Sequence, residues 1–314
     1  MYVRTKNKQI IQFRPNGVQI QFLNEHVPGW KNDDYTMRDV KGVLLKARQQ
    51  GFSTLIAALF FIDTVNNPNT KTVQVAHDEE TTILMFEVVT RFYEHLPEHK
   101  KPPLARQNEG LLRFAHNGSS YFVGWAGSKN FGRSQTINNL HGSEVAFWPD
   151  GEKLASGLMQ AVPLGGNAIL ESTANGRGNF FHDEFWRGYN GESSYFSLFV
   201  PWFLSEDYQV DPEAPGTHPF TDPDDIEDER NLINAFNLND RQIAWRRLKM
   251  REPGMKKKFQ VEYPSTPEEA FETSGVPYFD KKLLIRITTA LHGADRKPLH
   301  KPKTAPMRSP CCHS

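Results

Sequence analysis

The chain has 314 residues of ordinary composition, with 37 basic and 37 acidic side chains and therefore a formal net charge of zero. This length can bury a sizeable core in one large domain or two smaller ones, and the balanced charge excludes a chain that attracts nucleic acid by overall basicity. The only two cysteines, Cys311 and Cys312, are adjacent, which excludes a disulfide framework and a zinc site of the usual spacing.

The N-terminal stretch MYVRTKNKQI lacks the apolar core of a signal peptide. The longest apolar run, LIAALFFI at residues 55–62, is too short to span a bilayer. We therefore expect a soluble intracellular protein without membrane contact.

From about residue 40, short apolar runs alternate with longer helical stretches, a pattern that predicts βα units around a largely parallel sheet. VKGVLLKA predicts a strand, and STLIAALFFIDTV predicts the helix after it. TVQVAHD predicts a second strand, and EETTILMFEVVTRFYEHL an amphipathic helix. LLRFAHNGSSYFVGWAG is typical of a hairpin that turns at Asn117 and Gly118.

Three further strands are predicted: one ending near Glu144, one (NAILEST) ending near Ser172, and one in SYFSLFVPWF. The acidic, proline-rich residues 207–230 indicate an exposed connector. Asn239 and Gln242 form a capping box that predicts a helix over DRQIAWRRLKM. The composition of HGADRKPLHKPKTAPMRSPCCHS indicates an unfolded tail.

The stretch KARQQGFST has the outline of a phosphate-binding loop, GxxxxGK[ST], without the usual lysine. Gly51 and Ser53 fit the pattern, but Phe52 occupies the lysine position and Lys46 the position of the first glycine. A strand, a turn with glycine and a helix N-terminus suit a phosphate, because the helix end presents free N–H groups. The same arrangement also occurs as an ordinary turn in a parallel sheet, so the residues alone leave both interpretations open.

Two later strand ends carry polar groups suited to the same site. Glu144 is a candidate for the carboxylate that orients the attacking water beside a γ-phosphate, with Ser143 where an aspartate is usual. Ser172, Thr173 and Asn175 in ESTANG are candidates for sensing that phosphate. A surface carboxylate and a polar turn are the respective alternatives.

In this order, KARQQGFST, HGSEVAFW, ESTANGRGNFF and EYPSTPEEAFETSG resemble the large terminase subunit of tailed bacteriophages, the DNA-packaging ATPase. The resemblance extends from about residue 40 to about residue 280. It implies an α/β P-loop NTPase fold of the ASCE type, with a mainly parallel central sheet flanked by helices and a small helical lid subdomain. Some family members carry a deviant loop with the lysine at its start and an aromatic residue before the serine, as Lys46 and Phe52 stand here.

The resemblance also implies roles for individual residues, with ATP and Mg²⁺ as ligands. Lys46 and Glu144 become catalytic, and Ser53 becomes the Mg²⁺ ligand. Arg133 in NFGRSQTINN becomes an arginine finger toward a neighbouring subunit, its alternative being an exposed loop arginine. The nucleotide-binding residues are Lys46, Arg48, Gln49, Gln50, Gly51, Phe52, Ser53 and Thr54. The coupling motif, which links hydrolysis to movement, is Ser172, Thr173, Asn175 and Gly176.

Contacts to the base and to DNA are less defined. Gln19, Gln21 and Phe22 lie in the part of the chain expected to contact adenine. WRRLKMREPGMKKKF concentrates basic side chains that suit DNA phosphates, but a solvated helix face explains them as well. Trp245 and Phe259 are interpreted as core residues.

The expected organisation is an N-terminal segment that contributes to the nucleotide pocket (1–40), an ATPase core (41–204), a lid (205–265), a linker toward a nuclease domain (266–280) and a tail (281–314). The residues after Asp280 are too few for a nuclease domain, so no nuclease activity is expected of this polypeptide.

The expected function is DNA translocation into a procapsid. The expected partners are double-stranded DNA, a portal protein, a small terminase subunit and further copies in a ring, in the cytoplasm of a host bacterium and transiently on the procapsid. A helicase-like ATPase stimulated by nucleic acid, and a degenerate terminase remnant that acts as a binding module, are the alternatives.

Overall fold

The computed structural model describes residues 1–5, 7–27, 29–30, 37–128 and 136–272. Its described strands, in chain order, are β1 (Tyr2–Arg4), β2 (Ile10–Gln12), β3 (Lys41–Lys46), β4 (Lys71–Ala76), β5 (Leu104–Asn108), β6 (Leu111–Phe114), β7 (Ser120–Trp125), β8 (Asn139–Ser143), β9 (Asn167–Ser172) and β10 (Phe196–Val200). All described residues fall within one compact unit.

The described α-helices are α1 (Gly17–His26), α2 (Phe52–Asn66), α3 (Glu79–Glu94), α4 (Gly151–Gln160), α5 (Phe180–Tyr189), α6 (Pro223–Phe236), α7 (Asp240–Met250), α8 (Phe259–Glu262) and α9 (Pro267–Ala270). Short 3₁₀ helices cover Glu98–Lys100, Val145–Phe147 and Trp202–Leu204. Among the described helices, none combines the length and the apolar character needed to cross a membrane.

The described strands form an eight-stranded sheet in the order β10-β3-β9-β8-β4-β7-β6-β5, beside a separate two-stranded sheet of β1 and β2. Pairing is parallel from β10 to β7 and antiparallel from β7 through β6 to β5. The predicted fold class, a mainly parallel α/β sheet of P-loop NTPase type, is therefore confirmed. One strand, β9, separates β3 from β8, which is the arrangement of the ASCE subclass.

Alternating side chains of the central strands build two core layers, as expected for a sheet that is buried on both faces. On one face, Leu44 and Ile169 pack in a cluster with the apolar residues of α2 and α3. On the other face, Val43 and Leu170 pack in a cluster with residues of α4 and α5. The parallel strands thus end at one edge of the sheet, between the two helical layers, and the turns that follow β3, β8 and β9 meet there.

A third apolar cluster lies beyond that edge and is built from residues that follow β10. Its buried members include Trp202, Tyr208, Ile243 and Phe259, together with Ala47 from the turn after β3. Trp245 stacks on Trp202 and Tyr208, so Trp245 and Phe259 belong to the core, as the sequence indicates. The predicted capping box of α7 is confirmed, because the side chains of Asn239 and Gln242 each accept the other's backbone N–H.

The prediction that residues 207–230 form an exposed connector is wrong for their last part, which belongs to α6. Pro223 occupies the first turn, where its missing N–H costs nothing, and the side chain of Asp222 caps the N–H of Asp224. Asp224 and Asp225 lie at the positive end of the helix dipole. The acidic, proline-containing composition is thus a helix start rather than a loop.

Candidate functional site

The turn between β3 and α2 contains residues 47–51 and presents the N-terminus of α2 to a cavity. Gly51 has φ +74°, a left-handed conformation that favours glycine, and it caps a helix without any side-chain cap. The first helical hydrogen bond runs from Leu55 N–H to Gly51 C=O, so the helix supplies no acceptor for the N–H groups of residues 52, 53 and 54. These groups and the positive end of the helix dipole suit an anion.

The cavity in front of this helix end has a volume of about 400 Å³. It is lined by Lys46, Arg48, Gln49, Gln50, Gly51, Ser53, Thr54, His77, Glu144, Phe147 and Thr173. Most of the residues expected to bind nucleotide therefore lie on one surface, together with the expected catalytic carboxylate and one residue of the coupling motif. His77 and Phe147 are additions that sequence reasoning does not supply.

Lys46 is the last residue of β3, and its side chain is almost completely buried at the base of the cavity. Its Nζ lies 3.0 Å from Oε1 of Glu144 and 3.0 Å from Oε2 of Glu171. Burial by itself lowers the pKa of Lys46, but the two carboxylates outweigh it and raise that pKa well above its usual range. The ammonium group therefore stays charged at the edge of the sheet.

Glu144 follows β8 directly and has a left-handed backbone, with φ +50°. For a residue with a Cβ this conformation costs of the order of 1 kcal/mol, and such strain is common at functional sites. The strained turn directs the carboxylate toward the turn after β9. Its Oε2 accepts hydrogen bonds from the N–H of Thr173 at 3.1 Å, Oγ1 of Thr173 at 3.2 Å and Oγ of Ser172 at 3.3 Å.

The expected coupling motif is tied to the turn after β8 by further hydrogen bonds. Ser172 Oγ accepts the N–H of Ala146 at 3.2 Å, and Asn175 Nδ2 donates to the C=O of Ala146 at 3.1 Å. Gly176 has φ +70°, so the turn reverses at a position that favours glycine. Hydrogen bonds therefore connect Glu144 and the turn after β8 directly to residues 172–175.

The remaining loop residues have separate environments. Phe52 is fully buried and packs edge-to-face on Phe22, so the aromatic residue in the usual lysine position is a core residue. Gln50 is also buried, and its Nε2 donates to the C=O of Pro201. Arg48 forms a bidentate ion pair with Glu262 of α8.

The residues considered for adenine are distributed over different environments. Gln19 is buried, and its Nε2 donates to the C=O of Gln50 at 3.2 Å, which places it against the loop. Gln21 bonds to Glu25 at the surface, and Phe22 belongs to the core. Arg133 lies outside the described residues, and its role stays a prediction.

Most cations of the basic stretch have intramolecular partners. Arg246 pairs with Asp228, and Arg247 with Glu229. Lys249 pairs with Glu252, Lys256 with Asp225, and Arg251 donates to backbone carbonyls. Within this stretch, Lys257 and Lys258 are exposed and have no ion pair among the described residues. The described contacts thus agree better with a charged helical surface than with a DNA-binding one.

Glu171 is a further residue beside the site that sequence reasoning misses. It is fully buried in β9, where its Oε1 accepts the hydroxyl of Ser53 at 2.7 Å. Burial raises the pKa of this carboxyl, but Lys46, His141 and Ser53 together hold it well below its usual range. An acidic residue at the end of an apolar strand is the only signal in the sequence, since its partners lie on distant segments.

No protein-family model and no curated protein matches this chain. Among solved structures, the chain is similar to the large terminase ATPase domain of Thermus phage P74-26, with 16% identity, a TM-score of 0.45, and coverage of 80% of this chain and 98% of that one. A variant of the same domain matches with 16% identity and a TM-score of 0.44 over the same shares of both chains.

The chain is also similar to the large terminase of bacteriophage HK97, with 14% identity and a TM-score of 0.46 over 75% of this chain. The match spans half of the length of that protein. These proteins carry the name of the family that the sequence motifs resemble.

Proposed function

We propose that the chain is the ATP-hydrolysing motor domain of a phage large terminase, which drives double-stranded DNA into a procapsid. The observation that carries the proposal is the meeting of Lys46, Ser53 and Glu144 at the uncapped N-terminus of α2. This set provides a phosphate cradle, a cation and a carboxylate around one cavity. The order of the four sequence motifs supports the terminase assignment in particular.

The residues present fit a nucleotide with Mg²⁺. The free N–H groups of residues 52–54 suit phosphate oxygens, and the hydroxyl of Ser53 supplies one oxygen ligand. At nucleotide sites, Mg²⁺ is usually held by one or two protein oxygens together with phosphates and water, so a single hydroxyl ligand is compatible with it. When bound, Mg²⁺ neutralises the negative charge that develops on the phosphates during hydrolysis.

Each residue then has a defined task in hydrolysis. Lys46 holds its positive charge at the cavity base, where it binds the outer phosphates. Glu144 exchanges its contact with Lys46 for the attacking water, which it orients and from which it accepts a proton. Because Glu144 also holds Thr173, this exchange shifts the turn of the coupling motif.

The wider assembly belongs to the proposal as well. The motor acts as a ring of copies on a portal protein, with a small terminase subunit that delivers the DNA. Arg133 of a neighbouring copy completes the site as an arginine finger. Such a chain works in the cytoplasm of the host bacterium and transiently on the procapsid.

The first test is ATP hydrolysis at high protein concentration, measured together with nucleotide binding. We expect Glu144→Gln to bind ATP and to lose hydrolysis by a factor of about 10² or more, the usual contribution of a general base. Lys46→Ala is expected to lose binding. Glu152→Gln, which changes an exposed carboxylate in α4, is the matched control and should behave like the wild type.

The outcomes separate the candidate functions. A wild type that binds no ATP contradicts the motor and favours the binding module. Hydrolysis that nucleic acid stimulates, but that does not respond to portal protein or small subunit, favours the helicase-like enzyme. Full hydrolysis by Glu144→Gln removes the proposed catalytic role of this residue.

A further inference from the structure

One buried carboxylate contacts both of the proposed phosphate-loop side chains. Glu171 has no exposed surface. Its Oε1 accepts the hydroxyl of Ser53 at 2.7 Å, and its Oε2 lies 3.0 Å from Nζ of Lys46. The function proposed above assigns no task to this residue.

The register of the sheet explains why these groups meet. Glu171 of β9 lies opposite Leu44 of β3 on one side and opposite Ser143 of β8 on the other. Because side chains alternate along a strand, Glu171 and Lys46 project from the same face as Leu44. This face is covered by α2, which carries Ser53. His141, two residues before Ser143, lies on the same face, with its Nε2 3.4 Å from Glu171 Oε1.

The strand that leads to Glu144 lacks the acidic residue expected beside the metal. In P-loop NTPases, Mg²⁺ is held by the loop serine or threonine together with an aspartate of that strand. Here the corresponding position is Ser143, which bears no charge. A buried carboxylate on that face, Glu171, lies on the neighbouring strand β9, in register with Ser143.

We propose that Glu171 replaces this missing aspartate as the positioning residue for the divalent cation that accompanies the bound nucleoside triphosphate. The inference rests on the function proposed above. Glu171 acts through Ser53: because the hydroxyl proton is donated to Oε1, the lone pairs of the serine oxygen stay free for a metal ion. Carboxylates that hydrogen-bond a metal ligand in this way orient it and increase its basicity.

The ion pair with Lys46 holds this carboxylate in place. With Oε2 3.0 Å from Nζ of Lys46, the other oxygen, Oε1, stays on the hydroxyl of Ser53. Because Glu171 is fully buried in β9, its carboxylate cannot turn toward solvent instead. Loss of Glu171 is therefore expected to affect the metal-dependent part of nucleotide binding.

The test compares the affinity for a fluorescent ATP analogue in Mg²⁺ and in EDTA, so that it does not depend on turnover. We expect Mg²⁺ to strengthen binding by the wild type, and Glu171→Gln to lose about tenfold or more of that gain, the usual effect of removing a partner of a metal ligand. Affinity in EDTA should not weaken. Binding of Mn²⁺ in the presence of nucleotide, followed by its electron paramagnetic resonance signal, provides a direct measure of the metal.

Two further variants keep the test decisive. In the Glu171→Gln background, Ser143→Asp should restore part of the Mg²⁺-dependent gain, whereas Ser143→Ala, the matched control, should not. In the Ser53→Ala background, Glu171→Gln should cause no further loss, because the carboxylate acts through that hydroxyl. Circular dichroism confirms that each variant is folded.

The possible outcomes distinguish this inference from the proposed function. If Glu171→Gln weakens nucleotide affinity equally in Mg²⁺ and in EDTA, Glu171 has a purely structural role and the inference is overturned. An unchanged Mg²⁺-dependent gain in Glu171→Gln overturns it as well. In both cases the wild type still binds nucleotide, so the proposed function stands. A wild type without nucleotide affinity removes both. If Glu171→Gln does not fold, the double variant Ser53→Ala/Glu171→Asp takes its place. A smaller Mg²⁺-dependent gain in this double variant than in Ser53→Ala alone overturns the inference.

Discussion

The buried ion pairs of Lys46 predict a large loss of stability when this lysine is replaced by methionine. The substitution keeps the length of the side chain and removes its charge. Glu171, which is fully buried, then loses its cationic partner, and Glu144, with a quarter of its side chain exposed, loses one of its contacts. Breaking a buried ion pair from one side costs about 3–5 kcal/mol, because the remaining charge is uncompensated. We expect the free energy of unfolding of Lys46→Met to fall by this amount.

A second lysine on the same strand provides the matched control. Lys41 of β3 lies 2.8 Å from Asp39, whose side chain is 65% exposed, so water screens this pair. Lys41→Met should therefore cost only about 0–1 kcal/mol. Adding Glu171→Gln to Lys46→Met removes the uncompensated charge and should recover part of the loss, with a coupling of about 0.5–3 kcal/mol.

Urea denaturation followed by tryptophan fluorescence and circular dichroism measures these differences. Equal losses in Lys46→Met and Lys41→Met would show that Lys46 does not hold a buried charge in place. Additive effects of Lys46→Met and Glu171→Gln would separate the two residues and refute the bridge between them.

Two further predictions concern pH and backbone conformation. Burial raises the pKa of Glu269 to about 7, although the hydrogen bond from Ser265 lowers it. The folded state therefore retains a proton that the unfolded chain loses above the ordinary pKa of 4.5. The free energy of unfolding is thus highest below pH 4.5 and falls by about 3 kcal/mol as the pH rises through 7. The free energy of unfolding of Glu269→Gln, measured by denaturation at a series of pH values, should lack this fall. If it falls with pH as steeply as that of the wild type, Glu269 is not the cause. Gly51→Ala adds a Cβ at φ +74° that meets Gln19 Nε2 at 2.8 Å, whereas Gly191→Ala adds one at φ +77° in open space. Both should lose about 1–2 kcal/mol of stability, but only Gly51→Ala should weaken nucleotide binding, and equal affinities refute the role of the loop.

The sequence predicts most of the central sheet because its signals are local. Buried parallel strands are continuous apolar runs, and α3 is amphipathic with a clear period. The capping box at Asn239 uses only residues three positions apart. The meeting of Lys46, Ser53 and Glu144 is also predictable, because parallel strands end at the same edge of the sheet.

Features that depend on context are missed. The strand β5 is mostly exposed, and its sequence LARQN has no apolar alternation, so only its pairing with β6 defines it. The start of α6 carries proline and aspartate, which favour loops by composition and helix starts by position. In the sequence, the basic residues of α7 suit DNA because no acidic partner is evident. In the structure, acidic side chains of α6 lie beside them, and the partner of Arg246 is 18 positions away in the sequence.

Glu171 shows most clearly why register cannot be read from a single segment. Its hydrogen bond to Ser53 joins residues 118 positions apart, and it exists only because β9 is inserted between β3 and β8. The two departures from the usual pattern, a lysine at the end of β3 and a serine at the end of β8, each look like a defect when read alone. With β9 between them, the charge missing from β8 is supplied by the strand adjacent to the displaced lysine. Both departures therefore meet at one carboxylate, which lies 3.0 Å from Nζ of Lys46 and accepts the hydroxyl of Ser53 at 2.7 Å.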